Sequence, residues 1–269
     1  MREQSDFLKK LKGSRSLLAP LISIRDSSVS EMISLIGPDF LIVDMEHSAI
    51  DIAELQNILI AAKPMDVVAR IRGLEKNEIK KVLDTGVAGI IIPGIETPEE
   101  TMDAVSYSRI PPDGIRGIGP GRGSKYGYGF AAYVKEANKQ AVIVQIETKK
   151  AFENLKDILS VPGLDGCFVG PVDLTAALGI EFSWSSKIFV SAIDKILSES
   201  RARDLVIGIY TPLANRTPEP IISRGFNFIM YGTDREAVQL EYRNSLETFR
   251  NKTKTLTLGT DLMRQIRDQ

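Results

Sequence analysis

FLIVDMEHSAIDIAELQ, residues 40–56, is the stretch of sequence that decides the fold. It begins with a short apolar run, Phe40–Met45, that has the length and composition of a buried strand. Charged side chains follow, and then a helical pattern covers Asp51–Ala62, with one apolar face formed by Ile52, Leu55, Ile58 and Leu59. A strand followed by an amphipathic helix is the repeating unit of a parallel α/β sheet.

The same unit recurs along the chain. Apolar runs rich in β-branched residues predict strands at Leu17–Ile24, Phe40–Met45, Val67–Ile71, Gly89–Pro93, Ala141–Ile146, Gly166–Val169, Val206–Tyr210 and Asn227–Tyr231. Helical patterns lie between them, over Asp51–Ala62, Asn77–Thr85, Pro98–Ser108, Lys149–Leu159, Ser185–Arg203 and Asp234–Arg250. The 269 residues suit an α/β protein with a (β/α)8 TIM barrel, which typically needs roughly 250.

We find no linker or composition shift that would divide the chain. The sequence therefore predicts a single domain over residues 1–269, with a polar C-terminal tail from about residue 251. An open, doubly wound sheet is the alternative architecture, and only the strand count argues against it. The Gly-rich insertion Pro111–Tyr128 carries no dinucleotide fingerprint, so we expect its glycines to approach a ligand or to fold over the mouth of the site.

Composition excludes several classes of protein. A formal net charge of -1 argues against a nucleic-acid partner, which would require a basic face. No apolar run approaches the roughly 20 residues of a membrane span, so no membrane association is expected. The single cysteine, Cys167, fits a reducing compartment, and the polar N-terminal residues lack the apolar stretch of a signal peptide. These features predict a cytoplasmic location.

Ionisable side chains cluster where the predicted strands end. In α/β barrels the chemistry lies at the carboxyl ends of the strands. Buried strand ends seldom carry many ionisable groups by chance, because an unpaired buried charge is costly. The side chains delivered there are Asp44, Glu46, His47, Arg70, Glu147 and Asp173.

His47 is the only histidine of the chain. It lies three residues beyond Asp44, whose carboxylate would orient the imidazole and raise its basicity, as a general base requires. A structural histidine is the alternative. Arg70 ends its strand and is a candidate to hold a developing oxyanion, although pairing with Glu46 or Glu147 as part of the barrel structure is also open.

Glu147 and Asp173 are the candidate metal ligands. Two carboxylates without an accompanying His or Cys cluster suit a hard cation such as Mg²⁺ or Mn²⁺. Salt bridges to neighbouring basic residues are the alternative. Glu46 is as well suited to a supporting ion pair as to ligation.

The segments around these residues resemble the HpcH/HpaI family of class II, metal-dependent aldolases, which act on 4-hydroxy-2-oxo diacids and 2-keto-3-deoxy sugar acids. The resemblance covers most of residues 40–180 and is weaker beyond Gly179. The segments that carry it are FLIVDMEHSAIDIAELQ (40–56), VARIRG (68–73), IKKVLDTGVAGIIIPGIETPEE (79–100), PPDGIRGIGPGRG (111–123), VIVQIETKKAFENL (142–155) and VPGLDGCFVGPVDLTAALG (161–179).

The resemblance implies a carbon–carbon lyase that cleaves 4-hydroxy-2-oxo acids to pyruvate and an aldehyde, or joins the two. Pyruvate would chelate a divalent metal (Mg²⁺, Mn²⁺ or Co²⁺) and react as its enolate. The roles carried over are an Asp44–His47 catalytic dyad, a catalytic Arg70, the metal ligands Glu147 and Asp173, and a substrate-binding set formed by Gln145, Gly170, Pro171 and Val172. The resemblance also implies a homohexamer built from dimers.

Three positions depart from the family's pattern, and all three are expected near the aldehyde pocket. Gly94 stands where relatives commonly have a larger residue, Val172 where a small or polar residue often precedes the aspartate, and Gly123 where alanine is frequent. These departures leave the catalytic set complete and the acceptor aldehyde open.

Other functions remain open at this point. The enolate could serve a decarboxylase of oxaloacetate or be trapped by a different acceptor, as in macrophomate synthase. The related citrate lyase β-subunit group acts on CoA esters, but the sequence has no obvious basic patch for the nucleotide. A catalytically silent barrel and a Schiff-base aldolase using Lys149 or Lys150 are further alternatives.

Overall fold

A computed structural model describes residues 4–214 and 219–267 of the protein. Its strands, in chain order, are β1 (Leu17–Ile22), β2 (Leu41–Asp44), β3 (Val67–Arg70), β4 (Gly89–Ile92), β5 (Ala141–Ile146), β6 (Gly166–Val169), β7 (Val206–Thr211) and β8 (Phe228–Thr233). Its helices are α1 (Asp6–Leu11), α2 (Ser27–Ile36), α3 (Ile52–Ala61), α4 (Lys76–Asp84), α5 (Pro98–Ser108), α6 (Phe130–Glu136), α7 (Lys149–Glu153), α8 (Leu155–Leu159), α9 (Pro171–Ala177), α10 (Lys187–Arg201), α11 (Glu219–Ile222) and α12 (Asp234–Arg267).

The strands form a closed parallel barrel in chain order. Each strand pairs with the next one in the sequence, and β1 closes the ring by pairing with β8 through Leu17–Phe228 and Leu18–Ile229. The predicted (β/α)8 barrel is therefore confirmed. The open, doubly wound alternative is wrong, because β1 pairs with both β2 and β8 and the ring of strands has no edge.

The turn from β2 into α3 shows how local sequence positions the strand ends. Asp51 caps α3 by accepting from the backbone N–H groups of Ala53 and Glu54, and the Glu54 side chain accepts in return from the backbone of Asp51. This capping box satisfies the free amides of the first helical turn. The helix therefore begins at a fixed point, and residues 45–51 form a short loop at the barrel mouth.

An aromatic column fills the barrel interior. Phe7 of α1 packs edge-on against Phe40 (ring centroids 5.3 Å apart), Phe40 packs against Phe228 (5.7 Å), and Phe228 stacks on Phe168 (6.0 Å). Gly208 leaves room for this column, because a Cβ at that position would overlap the Phe228 ring. Helix α1 thus closes the barrel at the end where the strands begin.

The Gly-rich insertion does not lie at the mouth of this barrel. It connects α5 to β5, so it is anchored where the strands begin, opposite the ends that carry the reactive residues. Arg122 donates to the backbone oxygens of Leu59 (3.1 Å) and Thr85 (2.8 Å), near the carboxyl ends of α3 and α4. A Cβ on Gly123 would meet Asp84 and Tyr133. The expectations that this loop covers the mouth and that Gly123 lies near the aldehyde pocket are therefore wrong for this chain.

Helix α12 continues through the segment predicted as a polar tail. The helix runs without interruption from Asp234 to Arg267. Large apolar side chains are exposed along its first half, at Val238, Tyr242, Leu246 and Phe249. Within the described part of the chain, no helix combines the length and the apolar character needed to cross a membrane.

Candidate active site

A cavity of about 310 Å³ opens at the carboxyl ends of the strands. Its volume is at the lower end of the range for small-molecule sites. Seven of the nine predicted site residues line it, and the other two, Gln145 and Glu147, lie beside it. The lining residues are Leu21, Ser23, Asp44, His47, Arg70, Phe168, Gly170, Pro171, Val172, Asp173, Tyr210, Thr233 and Arg235.

Arg70 and Asp44 form a nearly buried ion pair on one wall. The two residues are register partners on β3 and β2, so their side chains leave the barrel side by side. Arg70 Nε lies 3.0 Å from Asp44 Oδ1, and Nη2 lies 3.0 Å from Oδ2. The Arg70 side chain is 11% exposed, and that of Asp44 is 4% exposed. This two-point contact fixes the plane of the guanidinium group and leaves its remaining N–H groups for a ligand.

The expected contact between the Asp44 carboxylate and the imidazole of His47 is not the arrangement found. Asp44 Oδ1 accepts instead from the backbone N–H groups of Glu46 (3.1 Å) and His47 (3.2 Å), in addition to Arg70. The imidazole is 67% exposed, and its Nε2 lies 3.6 Å from Glu46 Oε2. Asp44 therefore holds the turn that carries His47, while the ring itself stands at the rim of the cavity.

Glu46 supports this wall as an ion-pair partner. Its Oε2 lies 3.2 Å from Arg70 Nε, and this buried oxygen has no hydrogen-bond partner within the described residues. Burial raises the pKa of the Glu46 carboxyl, and the positive charges of Arg70 and His47 offset that shift only in part. Glu46 therefore keeps a proton to a higher pH than an exposed glutamate would.

The two predicted metal ligands converge on Gly170. A Cβ on Gly170 would stand 3.4 Å from Asp173 Oδ2 and 3.5 Å from Glu147 Oε2, so the missing side chain leaves a space that faces both carboxylates. The described residues contain no group of three or more His, Cys, Asp and Glu side chains arranged around one point. Two carboxylates beside an open space fit a hard divalent cation that takes its remaining ligands from water and substrate.

Two neighbours hold the Glu147 carboxylate in place. The side-chain amide of Gln145 donates to Glu147 Oε2, and the backbone N–H of Gly94 donates to Oε1 at 2.8 Å. Gly94 has a φ of +70°, a conformation that glycine adopts without strain. Gln145 is buried, and its carbonyl oxygen has no partner among the described residues. Gly94, one of the positions that differ from the family's pattern, therefore supports a candidate metal ligand. Val172, another such position, lines the cavity as expected.

The opposite wall contains residues to which the sequence assigned no role. Buried Asp234 accepts from the backbone N–H of Ser23 (2.9 Å) and from the Ser23 hydroxyl (2.6 Å). Arg235 Nη2 donates to the backbone oxygen of Ser23 at 2.8 Å. Burial, and secondarily the Glu236 carboxylate, raises the pKa of Tyr210 to about 12, so this phenol stays protonated at neutral pH. In the sequence, Tyr210 ends one predicted strand, and Thr233 and Asp234 follow another, which is the signal for this wall.

Known proteins resemble this chain over most of its length. A family model described as HpcH/HpaI aldolase/citrate lyase matches residues 22–239. The chain is 32% identical over 235 residues to the 4-hydroxy-2-oxovalerate aldolase of Rhodococcus jostii (strain RHA1), covering 86% of this chain and 90% of that protein. It is 34% identical over 218 residues to the 2-keto-3-deoxy-L-rhamnonate aldolase of Klebsiella pneumoniae subsp. pneumoniae, covering 79% and 81%.

A solved structure agrees with these sequence matches. The HpcH/HpaI aldolase/citrate lyase family protein from Burkholderia cenocepacia J2315 superimposes with a TM-score of 0.83 at 29% identity. The match covers 91% of this chain and 98% of that one.

Proposed function

The chain belongs to the HpcH/HpaI aldolase/citrate lyase family, and we propose that it is a class II aldolase that cleaves 4-hydroxy-2-oxo acids to pyruvate and an aldehyde. The same enzyme would join the two in the reverse direction. The observation that carries this proposal is the convergence of the oriented Arg70 guanidinium and two carboxylates, Glu147 and Asp173, on one cavity. The bond that breaks joins the carbon next to the 2-oxo group to the hydroxyl-bearing carbon, and on the metal route its electron pair is taken up as an enolate. A guanidinium and two carboxylates that could hold a cation suit the stabilisation of that enolate.

We propose that Glu147 and Asp173 hold a divalent cation, Mg²⁺, Mn²⁺ or Co²⁺. The space beside Gly170 and the anchored Glu147 carboxylate support this assignment. When bound, the cation would act as a Lewis acid toward the 2-oxo oxygen of the substrate. The chain's own contribution is to fix the Glu147 carboxylate before the substrate arrives, with Gly94 and Gln145 as the supporting donors.

Arg70 is proposed to donate to the oxygen on which negative charge develops. Asp44 and Glu46 hold the guanidinium on one edge, so its orientation is set in the absence of substrate. Donors that need no reorientation stabilise a transition state more than mobile ones do. Gly170, Pro171 and Val172 line the cavity beside Asp173 and are proposed to contact the substrate.

His47 is proposed to move the proton, through a water molecule. Its ring stands at the rim, where the nearest charged group is the Glu46 carboxylate. The aldol direction requires removal of a methyl proton from pyruvate, and cleavage requires its return. An exposed imidazole exchanges protons with solvent readily, which suits a group that must be reset in each turnover.

We expect the purified protein, supplied with Mg²⁺ or Mn²⁺, to convert pyruvate and a panel of aldehydes into 4-hydroxy-2-oxo acids. Cleavage of the same products should release pyruvate and aldehyde in equal amounts, because one bond breaks per turnover. NMR of the reaction mixture measures both directions. Release of pyruvate from oxaloacetate without any aldol product would favour a decarboxylase instead. A borohydride-trapped adduct of pyruvate on Lys149 or Lys150 would contradict the metal route.

We also propose a homohexamer built from dimers. The exposed apolar side chains on α12 support protein–protein contact, because Val238, Tyr242, Leu246 and Phe249 recur at helical spacing. Light scattering at micromolar concentration should therefore give about six times the chain mass of 29.7 kDa. A mass near that of one chain would contradict the proposal.

A cytoplasmic location is proposed on the single cysteine alone.

A further inference from the structure

The cavity has two walls of different character. In a closed ring of eight strands, β1 stands opposite β5, so Ser23 at the end of β1 faces the strand that delivers Glu147. Thr233 and Arg235, where β8 passes into α12, lie on the same side as Ser23. Leu21 and Phe168 add apolar surface to the cavity. A substrate held at the carboxylates would therefore extend toward Ser23 and Arg235.

Arg235 has no carboxylate partner among the described ion pairs, unlike Arg70. The neighbouring Asp234 carboxylate is engaged by Ser23, by the backbone N–H of Ile24 (2.8 Å) and by the backbone N–H of Arg235 itself. The Glu236 carboxylate lies 3.4 Å from the Tyr210 hydroxyl and accepts from a backbone N–H at 3.2 Å.

One hydrogen bond holds the exposed side chain of Arg235 against the cavity wall. Its Nη2 donates to the Ser23 backbone oxygen, and Ser23 is itself held by Asp234. A neutral carbonyl acceptor orients the guanidinium without neutralising its charge. The remaining N–H groups are donors in a fixed fork, which matches the geometry of carboxylate and phosphate oxygens.

We propose that Arg235 binds an anionic group at the far end of the aldehyde, so that the acceptor of this enzyme is an acidic aldehyde. The inference rests on the proposed aldol reaction, with pyruvate held on the Arg70 side of the cavity. Leu21 and Phe168 line the cavity and would face the carbon chain between the two ends of the substrate. A carboxylate and a phosphate ester are both anions that a guanidinium fork accepts, and they differ in size and charge.

The test compares acceptors matched in length that differ in charge. Succinic semialdehyde is compared with butanal, and glyceraldehyde 3-phosphate with glyceraldehyde, each by kcat/KM in the condensation with pyruvate. The wild type is expected to favour the acidic member of at least one pair, and the favoured pair identifies carboxylate or phosphate. Arg235→Gln should lower kcat/KM for that acid by about 10- to 100-fold, the range for a hydrogen bond to a charged group.

Two further variants make the test specific. Arg235→Lys keeps the charge without the fork and should retain only part of the preference. Arg25→Gln is the matched control, because Arg25 follows the neighbouring strand β1, does not line the cavity, is more than half exposed and pairs with Glu54. It should keep the wild-type ratio between acidic and neutral acceptors.

Three results would overturn the inference. They are equal use of acidic and neutral aldehydes by the wild type, a preference that survives Arg235→Gln, and an equal loss of preference in Arg25→Gln. Exchange of the methyl protons of pyruvate by the wild type separates this inference from the proposed function. If the wild type exchanges the methyl protons of pyruvate but shows no preference for acidic aldehydes, only the inference is overturned. If it shows neither exchange nor condensation, the proposed function is overturned as well.

Discussion

Removal of divalent cations is expected to abolish pyruvate release, and addition of Mg²⁺, Mn²⁺ or Co²⁺ to restore it. The described site offers Glu147 and Asp173 as the groups that meet at one open space, and no third His, Cys, Asp or Glu joins them there. Lewis-acid assistance is worth several kcal/mol of transition-state charge stabilisation, and each 1.36 kcal/mol is tenfold in rate. We therefore expect a loss of at least about 10³-fold, measured by pyruvate formation after chelation and dialysis.

A single methyl group provides a sharper version of this test. Gly170→Ala would place a Cβ at van der Waals distance from both carboxylates, so the chain should fold while the space for the cation is reduced. We expect metal affinity, measured by calorimetry, to fall by about 10- to 100-fold, the range for changes beside metal ligands. Gly73→Ala is the control, because a Cβ there would meet no atom within 4 Å. Full turnover by protein that elemental analysis shows to be free of metal would contradict the assignment.

Arg70→Ala is expected to slow the exchange of pyruvate methyl protons in D₂O by roughly 10²–10³, the value of one preorganised oxyanion donor. The exchange requires only the half-reaction that forms the enolate, so the result does not depend on knowing the aldehyde. Arg70→Lys should not fully restore the rate, because an ammonium group cannot reproduce the fork that grips Asp44 and still donates to the substrate. The decay of the methyl signal in NMR gives the rate directly.

Loss of Arg70 also leaves the buried Asp44 without its charged partner, and breaking a buried ion pair in this way costs about 3–5 kcal/mol of stability. The double variant Asp44→Asn/Arg70→Ala removes that uncompensated charge, so slow exchange in a fully folded double variant would report on catalysis. His47→Ala should be slow as well, because the group proposed to move the proton is lost. Exchange at the wild-type rate in both the Arg70 and His47 variants would remove the site assignment and leave the barrel intact.

Most of the fold could be predicted because the barrel is built from local repeats. Each strand and the helix after it carry their own periodicity, and all eight predicted strands are present with ends shifted by no more than two residues. Closure between β1 and β8 is a long-range property, and only the number of strands pointed to it.

Chain order was enough to predict that several of the candidate site residues lie at one cavity. Arg70, Glu147 and Asp173 follow or end their strands, and barrel geometry then brings them to one mouth. The partner of Asp44 depends instead on the register of β2 against β3, which the sequence does not give. The insertion was misplaced for a different reason, since its position after a helix and before a strand already assigns it to the far end of the barrel.

The aromatic column beneath the site also affects the fate of the reacting carbon. Phe168 forms part of the cavity wall, and Phe228, Phe40 and Phe7 continue beneath it as packed apolar core. Protons therefore reach the enolate through the mouth, which is also the entrance for the aldehyde. A seated acceptor both captures the carbon nucleophile and separates it from bulk water. The fraction of enolate that forms a carbon–carbon bond should therefore rise as more of the enzyme holds an aldehyde. The fraction that is reprotonated to pyruvate should fall.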